Sequence, residues 1–221
     1  MNASVSIVDY DCGNLRSLHR AVAAVGATSV QMVSSSHGLE DAERLILPGV
    51  GAFGHAAEAL EQRGLFQSII DYAASGRPLL GICLGMQLLF DESDEMGRHP
   101  GLGLIPGRVV MLDAQQASQH GDKVPNMGWL PIRPPSPEVT WEGTILSPLC
   151  VGEYAYFVHS YAACPVDSNH VTAVADHGGQ PFCAVASCGN VIGCQFHPEK
   201  SAVAGLNILR RFLAMTEAKK G

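Results

Sequence analysis

Cys83 lies between two glycines, in Gly81-Ile82-Cys83-Leu84-Gly85, where the short apolar run from Pro78 to Ile82 ends. The pattern reads as a nucleophile elbow. In such a turn a buried strand passes into a helix so sharply that bulky neighbours would collide, which leaves the central residue strained and presented to a ligand. Far downstream, Gln195-Phe196-His197-Pro198-Glu199 sets an imidazole and a carboxylate two positions apart, and on an extended segment both would share a face. A thiol, a base and an acid to orient the base are the parts of a cysteine hydrolase. An ordinary thiol, with a pKa near ~8.5, is only slightly ionised at neutral pH; an imidazolium and a helix N-terminus both favour the thiolate, and a carboxylate on the other ring nitrogen fixes the tautomer. Nothing local joins Cys83 to His197, so their meeting is an expectation about tertiary structure.

Acyl transfer also needs donors where an oxyanion forms. Pro48-Gly49-Val50-Gly51 follows an apolar segment, and its glycines let backbone N–H groups approach a ligand, while the N–H of Leu84 would stand at the new helix N-terminus. Two other readings compete. Cys83 is equally a small core residue in many folds, and His197 a satisfied core histidine. A metal site is the second rival, since Cys183, Cys188, Cys194 and His197 are close in sequence; however, they lack the tight C-x-x-C pairing of zinc sites, and the Gly189-Asn190 turn places Cys183 and Cys188 in hairpin strands. His19, His37, His55, His120 and His177 show no partner pattern.

The elements that must position these groups alternate in the first half. Val5 to Val8 reads as a strand, Asn14 to Val25 as a helix, Ser29 to Val33 as a strand and Arg44 to Leu47 as a strand entering the Pro48 loop. That rhythm predicts parallel β-α-β units. Phe53 to Ala74 carries helical spacing, and Gly76-Arg77-Pro78 closes it before the Cys83 strand. The second half changes character: Arg108 to Leu112, Tyr154 to Ala162, Val171 to Ala175 and the segments flanking Gly189-Asn190 suggest antiparallel pairs, and Leu206 to Ala214 a closing helix. Ser93 to Gly107, Ala114 to Asp122 and Pro131 to Pro137 read as loops or connectors.

Composition narrows the class. A chain of 221 residues fits one α/β domain spanning 1–221. Its net charge is −7, and no basic cluster exceeds Arg210-Arg211 or Lys219-Lys220, which argues against nucleic acid as a partner. The N-terminal residues lack a basic n-region and the longest apolar stretch, Pro78 to Phe90, is too short to cross a bilayer, so a cytoplasmic protein without membrane contact is expected. Seven cysteines, an odd number, fit reduced thiols better than a disulfide framework.

With those residues in view, the chain resembles the class I glutamine amidotransferases, whose elbow reads G-x-C-x-G-x-Q and whose distal motif reads Q-F-H-P-E; here they are Gly81 to Gln87 and Gln195 to Glu199. It is similar in particular to the glutaminase subunits of imidazole glycerol phosphate synthase. The segments carrying this are Asp9-Tyr10 with Gly13-Asn14-Leu15, Pro48 to Phe53, the elbow, Gly101 to Leu104, Pro125 to Trp129, Tyr156 to Tyr161, and Gln195 to Ser201. The resemblance implies a flavodoxin-like, three-layer α/β domain with a mixed central sheet and additional antiparallel strands in the second half. It implies hydrolysis of L-glutamine through a thioester on Cys83, with His197 as base and Glu199 as its orienter. Val50, Gly51 and Leu84 would form the oxyanion hole, and Gly49, Gln87, Ser160 and Tyr161 would bind substrate. No metal and no cofactor are implied. A (β/α)8 cyclase subunit would take the ammonia and dock against Asn14, Trp129 and Lys200, and the P-G-V-G loop would need a peptide reorientation to align its donors.

Some positions depart from the family pattern. Asn126 stands where many relatives have His, and Leu130 follows Trp129 where Asn is usual, both in the expected interface segment. Asp11-Cys12 replaces residues commonly small before Gly-Asn. The alternatives are the glutaminase of a different amidotransferase, an interaction subunit with vestigial activity, and a cysteine peptidase or chaperone-like hydrolase with the same elbow. Gln87 and the Q-F-H-P-E motif argue against the last.

Overall fold

The computed structural model describes residues 3–217; Lys219-Lys220 lies outside them. The chain runs β1 (Ser4–Val8), α1 (Leu15–Ala24), β2 (Ser29–Val33), α2 (His37–Glu40), β3 (Leu45–Gly49), α3 (Phe53–Gln62), α4 (Leu65–Ala74), β4 (Leu79–Cys83) and α5 (Leu84–Leu88). It continues with β5 (Phe90–Ser93), β6 (His99–Pro100), β7 (Ile105–Met111), α6 (Ala114–Gln119), β8 (Asn126–Pro131), β9 (Tyr154–His159) and β10 (Tyr161–Pro165). Last come β11 (Val171–His177), β12 (Gln180–Cys188), β13 (Val191–Cys194) and α7 (Ala202–Leu213), with 3-10 turns at Ser168–His170 and Pro198–Lys200.

A seven-stranded sheet in the order β11-β12-β13-β4-β3-β1-β2 forms the centre. From β13 to β2 neighbours run parallel, and β11 and β12 extend the sheet antiparallel. The inner strands are apolar at successive positions because both faces are covered. Ile46, Leu80 and Ile82 face a core shared with Leu18 and Val22 of α1 and Leu209 and Phe212 of α7, whereas Leu45, Leu47 and Leu79 face Leu60 of α3, Ile69 of α4 and Met86 of α5. This is the expected three-layer arrangement with a mixed sheet. A four-stranded sheet (β10-β7-β5-β6) and the antiparallel ribbon β8-β9 complete it.

Several boundaries differ from expectation. Phe53 to Ala74 breaks into α3 and α4 at Gly64, whose φ of +65° reverses the chain before Leu65. Ala114 to Asp122 is not all loop: Asp113 caps α6, its Oδ1 accepting the Gln116 N–H at 2.9 Å. Tyr154 to Ala162 is split at Ser160 between β9 and β10, which belong to different sheets. Within Ser93 to Gly107 lie β6 and the start of β7, and the final helix begins at Ala202, earlier than Leu206.

The packing at the end of β4 is unusually close. A Cβ on Gly85 would stand 1.8 Å from the Leu47 carbonyl oxygen, and one on Gly81 would stand 2.6 Å from the Gly85 carbonyl oxygen. Neither obstacle is a flexible side chain. Gly85→Ala is therefore expected to cost about 3 kcal/mol or more, since backbone would have to move; chemical denaturation of wild type and variant measures it, and an unchanged midpoint would refute the packing argument.

Candidate active site

Cys83 ends β4 and caps α5 with φ +54° and ψ −110°, a conformation that costs a non-glycine residue about 1–3 kcal/mol. The strand before and the helix after hold it there, as an elbow requires. Cys83 then lines a cavity of about 380 Å³ together with Val50, Gly51, Leu84, Gln87, Ser160 and Tyr161. Gly49 lies beneath, paired in register with Cys83 across β3 and β4. Thus the candidate nucleophile, donor and substrate residues come together where the central parallel strands end, the usual ligand position in such sheets. A larger groove, about 770 Å³, is lined by Pro134, Pro135, Pro137 and Trp141, with neither cysteine nor histidine among the described residues of its lining.

His197 arrives from β13, the neighbour of β4 on the side away from β3. Its Nδ1 is 2.9 Å from Glu199 Oε1, and both side chains are almost fully buried. The contact is made by a turn rather than by an extended strand: His197 precedes the Pro198–Lys200 3-10 turn, which folds Glu199 back under the imidazole. The His197 N–H donates to the Tyr156 carbonyl at 3.0 Å, and the Ser201 hydroxyl donates to the His197 carbonyl at 2.7 Å. Burial alone would lower the imidazole pKa; the neighbouring Cys83 and Glu199 outweigh it and raise it to about 9. No hydrogen bond between Cys83 Sγ and His197 Nε2 is formed, and Nε2 has no partner. Sγ makes long contacts with the Val158 carbonyl (3.8 Å) and Gln195 Nε2 (3.9 Å).

The loop between β3 and α3 has its own supports. Gly51 has φ +110°, open to glycine and strained for other residues. Among the described residues no acceptor takes the N–H of Val50 or Gly51. The Phe53 N–H, at the start of α3, donates to Glu95 Oε2 at 2.7 Å. Glu95 also lines the cavity and, among the described residues, is the one carboxylate that does so. Sequence reasoning missed it, because it falls in a Gly- and Pro-rich stretch read as surface loop; Glu92, Asp94 and Glu95 nearby gave no means of choosing among them.

Gln87 Nε2 donates to the Tyr161 carbonyl at 2.8 Å and to Gln195 Oε1 at 3.2 Å. The Tyr161 carbonyl is also 2.9 Å from His159 Nδ1, and His159 Nε2 is 3.0 Å from Asn126 Nδ2. Burial lowers the His159 pKa to about 4, so His159 is neutral, donating from Nδ1 and accepting from Asn126 at Nε2. Asn126 and Leu130, both in the expected interface segment, face inward. Along β8 the even positions turn inward: Asn126 is buried beside the cavity-lining His159, and Leu130 packs against the core, while Met127 and Trp129 are exposed. Trp129 meets Tyr156 edge-on at 5.8 Å, and Lys200 Nζ is 5.8 Å from the same ring. Asn14 is exposed and accepts the Ser17 N–H at 3.4 Å, capping α1.

Cys183 and Cys188 belong to β12 and Cys194 to β13. Burial pushes the Cys183 thiol up to about 12 and raises Cys194 as well. Among the described residues no group of three His, Cys, Asp or Glu side chains converges as a metal site would require.

Residues 6–215 match the family glutamine amidotransferase class-I, and the chain belongs to that family. Within it, the chain belongs with the HisH subunits. It is 45% identical over 210 residues to the imidazole glycerol phosphate synthase subunit HisH of Syntrophotalea carbinolica, covering 94% of this chain and 98% of that one. Against the HisH subunit of a Synechococcus strain it is 43% identical over 215 residues, covering 96% and 95%. PurLQS from Thermotoga maritima shares the fold, with a TM-score of 0.71 at 19% identity over 97% of this chain and 99% of that one. So does a crystal structure of a glutamine amidotransferase, with a TM-score of 0.70 at 20% identity over 95% and 97%.

The raised His197 pKa has a pH signature. Because the folded value of about 9 lies above the ordinary 6.5, its stabilisation is complete below about 6.5 and is lost as pH rises through about 9. In an NMR titration His197 is expected to retain its proton through neutrality, and Glu199→Gln to lower its midpoint. An unshifted midpoint in the variant would show that Glu199 does not hold the charge.

Proposed function

We propose that this chain is the glutaminase subunit of an imidazole glycerol phosphate synthase, hydrolysing L-glutamine to glutamate and ammonia for histidine biosynthesis. The observation that carries the reading is the convergence of Cys83, the Val50–Gly51 loop, Leu84 and Gln87 on one cavity, with the His197–Glu199 pair beside Cys83. Identity of 45% to a HisH subunit supports the choice of this amidotransferase over others.

In the proposed sequence His197 already holds the proton of the Cys83–His197 pair, and Cys83 Sγ bonds to the side-chain amide carbon of glutamine. The carbonyl π electrons move to oxygen, and the oxyanion is held by the N–H of Leu84 and those of the Val50–Gly51 loop. Collapse breaks the C–N bond, and His197 returns the proton to the leaving nitrogen, releasing ammonia and a thioester on Cys83. Water, deprotonated by His197, then cleaves the thioester and glutamate leaves. Glu199 keeps the imidazole oriented throughout.

Gly49, Gln87, Ser160 and Tyr161 are assigned to the substrate. Glu95 adds what the α-ammonium of glutamine calls for, an anionic group on the cavity wall. The partner in this reading is a (β/α)8 cyclase subunit that receives the ammonia. Its docking face is assigned to Trp129 and Lys200 with exposed Met127 and Tyr154, an apolar patch with a cation at its edge; Asn14 is kept as a further contact. Residues 1–221 are treated as one amidotransferase domain acting in the cytoplasm. No helix among the described residues is long and apolar enough to cross a membrane.

Glutaminase assays with and without the cyclase and its ligand test the reading. Cys83→Ala is expected to lower turnover by about 10³-fold or more, and full turnover in that variant would overturn the mechanism. Equal wild-type rates with and without the cyclase would refute only a dependence of glutamine hydrolysis on the partner. Gln87→Ala is expected to raise the glutamine KM by about tenfold, and an unchanged KM would remove its binding role.

A further inference from the structure

Tyr10 follows β1 and is only 1% exposed. Its hydroxyl donates to the Pro48 carbonyl at 2.7 Å, the acceptor next to the Val50–Gly51 loop. The same hydroxyl closes the space around Gly49: a Cβ there would lie 2.6 Å from the Tyr10 oxygen and 2.9 Å from Leu84 Cβ. The segment from Pro48 to Phe53 is therefore fastened at both ends, by Tyr10 on the Pro48 carbonyl and by Glu95 on the Phe53 N–H, while the N–H groups of Val50 and Gly51 between them find no acceptor among the described residues. A segment held at its ends and unpaired in its middle has few remaining ways to turn its peptide planes. The end nearer Leu84 is held by the pairing of Gly49 with Cys83 and by one phenolic hydroxyl on the Pro48 carbonyl.

We infer that Tyr10 is a positioning residue for glutamine hydrolysis, its hydroxyl fixing the Pro48–Gly49 peptide so that the loop N–H groups are aimed at the oxyanion formed on Cys83. The inference rests on the function proposed above. Donors that act on the oxyanion act in the transition state, so their misalignment lowers kcat and leaves ground-state binding intact.

Tyr10→Phe keeps the buried ring and removes the bond. Assayed in the complex with the cyclase and its ligand, it is expected to lower kcat about tenfold per alkylatable Cys83, with the glutamine KM within about twofold of wild type. A γ-aldehyde analogue of glutamine, which forms a tetrahedral adduct with the thiol, is expected to bind weaker by the same factor as kcat. A merely structural role would reduce the fraction of labelled sites and leave turnover per site and analogue affinity unchanged. That result, or a loss confined to KM, would overturn the inference. Fluorotyrosine at position 10 retains shape while altering donor strength, and an unchanged kcat per site there would also count against it if Tyr10→Phe does not fold. A wild-type complex without glutaminase activity would instead refute the function itself.

Discussion

The seating of α5 against the sheet is the constraint on which the site depends. Cβ atoms at Gly49, Gly81, Gly85 and Gly193 would meet, respectively, Leu84, the Gly85 backbone, the Leu47 backbone and Met86 within 3.0 Å. These four positions lie on β3, β4, α5 and β13, so the helix rests directly on three adjacent strands. Its N-terminus is thereby brought to the ends of β3 and β4, and the backbone at Cys83 has no route but the positive-φ turn. The loop after β3, the thiol at the end of β4 and the imidazole after β13 are neighbours because their strands are neighbours.

Two imidazoles in this small region are held in opposite states by different means. His197 is buried yet cationic because Glu199 and Cys83 accompany it. His159 is neutral because burial lowers its pKa to about 4, which its bond to the Tyr161 carbonyl opposes without outweighing. A second cation close to His197 would work against the first. Asn126 meets the neutral ring of His159 at Nε2.

The central part of the fold and of the site was legible because local chemistry specified it. Apolar runs of five residues mark strands covered on both faces, and glycines flanking Cys83 mark a close strand-to-helix turn. What escaped the sequence depended on context. Gly64 breaks a continuous helical pattern with one left-handed residue, which spacing of apolar positions does not register. The polar segment after Asp113 becomes helical through its cap. Asn126 looked like an interface residue until the alternation of β8 placed it on the inner side, and Glu95 became distinct from its acidic neighbours only when the chain brought it to Phe53.

The ribbon β8-β9 gives the site an uneven mechanical footing. Cys83 is anchored in the middle of the sheet, but the main chain of His197 hangs from Tyr156, whose ring lies beside Trp129 on the exposed side. The Tyr156 N–H in turn donates to the Ser201 hydroxyl that holds the His197 carbonyl. Nucleophile and base thus have separate suspensions, one rigid and interior, the other a surface strap. A load placed on the strap reaches the imidazole through Tyr156 and Ser201, and the sulfur only through its long contact with Val158.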